Sequence, residues 1–287
     1  MKGEVILRVF RSQSQRRNAA GKGPKRFGAL LASRDAPGCA RRSLLLVVLC
    51  RGRLQIRGVT QDKQQKIVAA RMKLRQRFEA RMARTPSVSD DRPQGSGAAN
   101  RHGMPKLPPG QVETAKWPVL DLGIHPEVTR EDWQLTIDGE CESPITLGFD
   151  QLLELEQVND VSDFHCVTTW SRMDVPWRGV RFLDLMALVE PTSDAAFVMC
   201  HAYDGYTTNV SLHEALKPDV LLVYEADGGP LPKEHGGPVR MITPQLYAWK
   251  GAKWIRRIEL MTEDRLGFWE QRGYSSTAHP WRNDRYS

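Results

Sequence analysis

Residues 163–171 read Asp-Phe-His-Cys-Val-Thr-Thr-Trp-Ser, and further on the chain reads His235-Gly-Gly-Pro-Val-Arg240, then Lys250-Gly-Ala-Lys253-Trp254. A lone cysteine is often buried and inert, so Cys166 means little by itself. The second stretch gives it weight. Gly228, Gly229, Gly236 and Gly237 let backbone approach a ligand closely. Arg240 offers a planar fork that suits phosphate, and Lys253 a point charge. A soft sulfur donor followed by a glycine-rich stretch with spaced cations fits a metal held by a protein thiolate, on a cofactor that carries phosphate.

Two rival chemistries use the same cysteine. A cysteine hydrolase needs a base to form the thiolate, and His201 or His235 would have to serve. No protease-like local pattern surrounds Cys166. A zinc site drawn from His165, Cys166, Cys200 and His201 meets the alternation of a strand, in which neighbours point to opposite faces. Each pair would then offer one ligand to a given side, and the spacing matches no zinc module.

At 287 residues the chain can bury one full core with extensions to spare. Its net charge of +7 is split: residues 1–104 hold 24 Lys/Arg against 6 Asp/Glu, and residues 105–287 hold 17 against 28. All eight Trp residues fall in the second, acidic part, which therefore carries most of the aromatic surface for a core. The cysteines Cys39, Cys50, Cys141, Cys166 and Cys200 are odd in number and scattered, which fits a reducing compartment better than a disulfide framework. The best apolar run, Leu44 to Cys50, is far shorter than a membrane span and is closed by Arg51-Gly-Arg53. A cytoplasmic protein is expected. Arg41-Arg42-Ser43-Leu44 resembles a twin-arginine export signal, but its apolar region is short and no small-residue cleavage site follows.

Residues 1–59, basic and poor in aromatics, are expected to be a disordered extension. Residues 60–84 read as a basic amphipathic helix with Ile67, Leu74, Phe78 and Met82 near one face. Such a helix serves either an acidic membrane or nucleic acid, or lies on the acidic main domain, and the second reading is favoured. Residues 85–106, rich in Pro, Ser, Gly and Asn, read as a linker, leaving 107–287 as the main domain. There Trp133 to Ile137 alternates as a strand, Asp150 is expected to cap a short helix, and Phe182 to Val189 reads as helix. Phe197 to Tyr203, Val220 to Tyr224, Val239 to Thr243 and Trp254 to Met261 read as strands, and Ser211-Leu-His-Glu214 as a capping box. Strands mixed irregularly with short helices indicate an α+β fold.

Several ordered motifs in this domain carry a family likeness. They are Leu107-Pro-Pro-Gly110, Trp117-Pro-Val-Leu-Asp-Leu-Gly123, Asp163 to Ser171, Tyr203-Asp-Gly-Tyr-Thr-Thr208, His235 to Arg240 and Tyr247 to Trp254. Together they resemble the sulfite-oxidase-type molybdopterin oxidoreductases, most closely the small bacterial branch. That resemblance implies a molybdenum–molybdopterin cofactor with Cys166 as the protein's metal ligand. It implies that His235 and Arg240 hold the pterin and phosphate end, and that Gly251, Ala252 and Lys253 wrap the phosphate. It places Tyr206 beside the metal, with His165 as a catalytic group and Thr168 as a cofactor contact flanking the ligand.

One departure bears on the substrate. Sulfite oxidases follow the ligand cysteine with an Asn-Arg-Arg group that helps bind the anion, whereas positions 169–171 are Thr, Trp and Ser. The Cys-Val-x-x-Trp-Ser pattern resembles the catalytic subunit of the bacterial protein-methionine-sulfoxide reductases instead. Oxygen-atom transfer is therefore expected on an S-oxide or N-oxide, or on a small sulfur compound. No Cys-x-x-Cys-His haem motif occurs, so a separate electron-transfer partner is implied, with a monomer as the default and no nucleic acid on the main domain. The non-enzymatic alternative is a cofactor- or nucleic-acid-binding protein acting through its basic N-terminal segment. It leaves the Cys166 and Arg240 constellations unexplained.

Overall fold

The computed structural model describes residues 61–80 and 93–287, which belong to one compact unit, Leu54–Ser287. The extension read as disordered over 1–59 lies outside the described residues. A helix, α1, runs through residues 61–80. The chain then forms β1 (Ser96–Ala99), β2 (Pro105–Leu107), β3 (Val112–Glu113), β4 (Gln134–Gly139), β5 (Ile145–Gly148) and α2 (Phe149–Leu153). Next come β6 (Val158–Cys166), β7 (Trp170–Arg181), α3 (Phe182–Val189), β8 (Phe197–Ala202), β9 (Thr207–Ser211) and α4 (Leu212–Ala215). The last strands are β10 (Leu221–Ala226), β11 (Gly229–Pro230), β12 (Arg240–Ile242) and β13 (Ile255–Met261).

Two sheets carry the α+β domain. One orders its strands β5-β4-β13-β8-β9, with β13 parallel to β4 and antiparallel to β8. In β4 the alternation read from the sequence holds: Leu135 and Ile137 are wholly buried, while Gln134 is exposed and Thr136 half-buried. The other sheet runs β11-β10-β7-β3, with β12 beside β10 and β6 beside β7. Its inner strand β10 carries a continuous apolar run, Leu221 to Tyr224, all buried, as a strand covered on both faces requires.

The β6–β7 hairpin positions the sequence's key stretch. Cys166 pairs with Trp170, so Val167-Thr168-Thr169 make the turn, closed by the Thr169 N–H donating to the Cys166 carbonyl at 3.1 Å. Thr169 adopts φ 74°, a left-handed conformation uncommon for a β-branched residue. Cys166 thus sits at the very tip, at the end of a strand whose neighbours alternate between faces.

Several sequence expectations need correction. The stretch read as a linker over 85–106 contains, from Ser96, the β1–β2 hairpin, tied to the domain by Gln94 N–H donating to the Trp281 carbonyl at 2.8 Å. Its Gly, Ser and Asn residues serve tight turns as readily as a linker. The cap of α2 is Gly148, whose N–H donates to Gln151 Oε1 at 2.8 Å, and not Asp150. The long strand β7 was unread because Pro176 and Gly179 interrupt its pattern.

Helix α1 lies on the main domain, as favoured, through Ile67 and Phe78 of the expected face together with Val68 and Met72, whereas Leu74 of that face points outward. Leu74 is 44% exposed. Val68 and Met72 pack against a cluster that includes Cys166, Tyr247, Trp269 and Tyr274, and the Phe78 ring meets Tyr286 edge-on at 5.5 Å. Lys63 Nζ donates to the Gly123 carbonyl at 2.9 Å and Arg75 Nη1 to the Arg272 carbonyl at 2.9 Å. Gly123, at φ 78°, leaves the space that Ile67 fills, since a Cβ there would lie 2.8 Å from Ile67 Cδ1.

Candidate active site

Cys166 lies in the wall of a cleft lined largely by aromatic side chains, among them Trp170, Trp249, Trp269 and Tyr274. The thiol is 7% exposed, and its Sγ lies 3.1 Å from Thr168 Oγ1. Burial pushes the thiol's pKa up, against the hydrogen bonds from Thr168 and the positive charges of Arg71 and Arg285. The turn behind it is braced by Gln111 Nε2 donating to the Cys166 carbonyl at 3.1 Å and by the Arg285 guanidinium on the Val167 carbonyl.

A second group of charges lines the same cleft. Arg240 is 2% exposed, and its guanidinium donates to the carbonyls of Met241, His235 and Gly251 at 3.3, 3.0 and 3.1 Å. It lies over the Phe164 ring at 5.0 Å and has no carboxylate partner among the described residues. Burial pulls its pKa down to about 10. Lys253 donates to the Glu234 carbonyl at 2.7 Å and lies 3.5 Å from Asp121. Burial, with the Arg240 charge, lowers its pKa to about 8. Gly236 lets the two cations approach, since a Cβ there would lie 3.0 Å from both Arg240 Cβ and Lys253 Cα. Of these two desolvated cations, Lys253 has Asp121 in ion-pair reach and Asp204 nearby, whereas Arg240 has no carboxylate of its own among the described residues, which is costly unless an anion joins them. A sulfur donor, aromatic walls and this anion-seeking pair together fit a pterin cofactor that carries a phosphate.

His235 stacks flat on Trp117, the rings 3.8 Å apart and 8° from parallel. Burial first, then the charges of Lys253 and Arg240, lower its pKa to about 4, so the ring is neutral. Tyr206 also lines the cleft, and its hydroxyl donates to the Trp249 carbonyl at 2.6 Å. Burial raises its pKa well above the usual value. Gly251 and Lys253 reach the cleft wall, whereas Ala252 is wholly buried behind them. The Gly251 N–H is engaged with the Ala248 carbonyl at 3.2 Å, so it does not serve as a phosphate donor as placed.

His165 is not brought to this cleft. Strand alternation turns it to the other side of β6, where Nδ1 meets Ser171 Oγ at 2.8 Å and burial pulls its pKa down to about 3. Nor do the rival sites assemble. Cys200 Sγ meets Met241 Sδ at 3.5 Å, and His201 Nε2 bonds Glu259 at 3.0 Å. Among the described residues no cluster of three metal-ligating side chains occurs, and the side-chain hydrogen bond to the Cys166 thiol comes from Thr168, not from a histidine. Lys250 points into the core, where Nζ meets Glu270 Oε1 at 2.7 Å with both side chains fully buried.

Sequence reasoning missed several cleft residues, among them the aromatic walls and four polar or stacking groups. Trp117 and Asp121 lay inside a quoted motif without a role, and Asp204 stands two residues before Tyr206; its burial raises its carboxyl pKa to about 6. Arg71 enters from α1. Its only signal was a position one turn from Ile67 on a basic helix, which cannot be told from a solvated cation.

Comparison with known proteins agrees with this geometry. Residues 122–269 match the family model of the oxidoreductase molybdopterin binding domain. The uncharacterized oxidoreductase YuiH of Bacillus subtilis is 39% identical over 185 residues, covering 63% of this chain and 92% of that protein. The protein-methionine-sulfoxide reductase catalytic subunit MsrP of Campylobacter jejuni is 31% identical over 157 residues, covering 49% of this chain and 52% of MsrP. Among solved structures, the sulfane dehydrogenase SoxCD from Paracoccus pantotrophus aligns with a TM-score of 0.45 at 20% identity, over 48% of this chain and 40% of that one. No described helix is long and apolar enough to cross a membrane. The family span holds Cys166, His235, Arg240 and Lys253 alike, and the chain belongs to the oxidoreductase molybdopterin-binding family, as a sulfite oxidase-like enzyme with a molybdenum–molybdopterin cofactor.

Proposed function

We propose that the enzyme carries out two-electron oxygen-atom transfer, with Cys166 as the thiolate ligand to molybdenum and an S-oxide or N-oxide as the physiological oxygen donor. The observation that carries this is the Cys166 thiol, at a hairpin tip, sharing one aromatic-walled cleft with the buried Arg240–Lys253 pair. When bound, the cofactor supplies the metal-centred redox change that moves one oxygen atom and two electrons. Arg240 and Lys253 hold the phosphate end, and His235, flat against Trp117, supports the pterin. Thr168, within hydrogen-bond distance of the sulfur, tunes and orients the ligand. Tyr206, once its hydroxyl leaves the Trp249 carbonyl, donates to the substrate oxygen. The aromatic walls exclude water from the reacting centre.

Reduction of an S-oxide consumes two electrons and two protons and yields a thioether and water. The electrons come from a separate partner. Two features favour this direction over sulfite oxidation. Positions 169–171 carry no cation, and Arg172 is paired with Asp227 at 2.7 Å and lies over Trp117 at 5.2 Å without itself lining the cleft. MsrP, at 31% identity, is by name a methionine-sulfoxide reductase.

Metal analysis of purified wild type and Cys166→Ala tests the ligand. The variant is expected to fold, to lose activity and to show altered metal spectroscopy; unchanged turnover would sink the assignment. A dye-linked assay comparing S-oxide reduction with sulfite oxidation decides the direction, and faster sulfite oxidation overturns the substrate reading.

A further inference from the structure

The cleft has a wall that the family domain does not supply. Helix α1, outside the matched span 122–269, brings Arg71 to line the same cleft as Cys166, Trp269 and Tyr274. The other cations near Cys166 are committed. Arg172 is bound to Asp227, and Arg285, 1% exposed, gives its guanidinium to the carbonyls of Val167 and Pro109 and to Asn283 Oδ1. Arg240 and Lys253 hold backbone carbonyls at the His235 side of the cleft. Arg71 is half-buried and has no ion pair or hydrogen bond to any described residue.

Its backbone is not free to drift. On one side of it Lys63 bonds the Gly123 carbonyl. On the other, Arg75 bonds the carbonyls of Arg272 and Ser287 at 2.9 and 3.2 Å. Val68 and Met72 pack on the cluster around Cys166. A guanidinium held beside apolar rings, partly out of water and without a partner among the described residues, is a preformed anion site.

We propose that Arg71 binds an oxyanion group of the substrate next to Cys166, so that the enzyme prefers anionic sulfur substrates over uncharged ones. This rests on the cleft being the molybdopterin site, and it names the substrate class that site takes. The oxyanion has two sources, the reacting group itself, as in sulfite, or a carboxylate near an S-oxide, as in free methionine sulfoxide.

The test uses the full chain as purified, in wild type, Arg71→Gln and Arg71→Lys. Calorimetric titration with inorganic sulfate is expected to show affinity about 10- to 100-fold weaker in Arg71→Gln, the range for losing a charge-assisted hydrogen bond, with partial recovery in Arg71→Lys. Dye-linked kinetics separates the sources. KM rises in Arg71→Gln for methionine sulfoxide if the carboxylate is bound, or for sulfite if the reacting oxyanion is, while kcat and the KM of dimethyl sulfoxide stay near wild type. Equal sulfate affinity in wild type and Arg71→Gln overturns the proposal. So does an equal loss with dimethyl sulfoxide, or a fall in molybdenum content, which would make Arg71 a cofactor or structural residue. Calorimetry needs no turnover, so an inactive wild type strikes the oxygen-transfer reading and leaves this test readable.

Discussion

Replacing Arg240 by methionine separates its role in holding the cofactor from its role in the fold. Arginine has five N–H donors, and three backbone carbonyls, of Met241, His235 and Gly251, each take one. Two donors remain for a phosphate. Hydrogen bonds to charged groups each contribute about 1.5–3 kcal/mol, so two are worth about 3–6 kcal/mol, or roughly a hundred- to ten-thousandfold in retention. Without the cofactor the effects oppose one another. Methionine leaves three carbonyls without a donor, but it also removes a 2%-exposed charge that has no carboxylate partner among the described residues. Retention should therefore fall far more than the stability of the cofactor-free fold. The assay is molybdenum per polypeptide by mass spectrometry after serial dilution and dialysis, with released pterin measured by fluorescence and folding by circular dichroism. Lys253→Met serves as the comparison. Its side chain is 14% exposed and already balanced by Asp121 at 3.5 Å, so its loss should be the smaller. Stoichiometric molybdenum in a folded Arg240→Met protein would refute the reasoning.

Three further outcomes are expected. Lys250→Met strands the Glu270 carboxylate in the core and should cost about 3–5 kcal/mol, seen as a lower denaturation midpoint; adding Glu270→Gln should recover part of it. The cofactor-free fold should lose stability as pH falls from about 6.5 toward 4, because His235 stays neutral in the fold down to a pKa of about 4 while the unfolded chain binds the proton earlier. His235→Gln should flatten that slope, and an unchanged slope would show that the ring does not cause it. Gly123→Ala, strained by its φ of 78° and by Ile67 Cδ1 2.8 Å from the new Cβ, should loosen α1 and speed proteolysis around residues 61–80; wild-type resistance would show that the helix is not seated there.

The elements legible in the sequence were those whose signal is local. The β4 alternation, the apolar run of β10 and the Ser211 cap, whose Oγ accepts from the Glu214 N–H at 3.3 Å, need no knowledge of neighbours. The β1–β2 hairpin was hidden because its strands are short and all four residues of β1 are exposed, so no hydrophobic period marks it. His165 misled because adjacency in sequence is opposition across a strand. Thr169, in a left-handed turn, gave no warning, since glycine or asparagine is the usual marker of that conformation. Lys250 and Lys253 look equivalent as letters. A single 3₁₀ turn, Ala248–Lys250, sends one into the core toward Glu270 and leaves the other beside Arg240.

Charge runs through the molecule at two scales, and they oppose one another. Residues 105–287 carry 17 Lys/Arg against 28 Asp/Glu, a field that repels anions at distances beyond the Debye length only weakly, because salt screens it. Inside the cleft, Arg240 and Lys253 are desolvated, so their attraction acts at short range and little screened. An acidic body with a cationic cleft therefore discriminates by contact rather than by steering. Helix α1 belongs to the segment with the opposite balance, 24 Lys/Arg against 6 Asp/Glu over residues 1–104, and it is docked at the cleft wall. Adding salt should then raise KM for an anionic substrate only modestly where Arg71 meets it directly. A steep salt dependence that survives Arg71→Gln would place the selection in the long-range field of the basic segment instead.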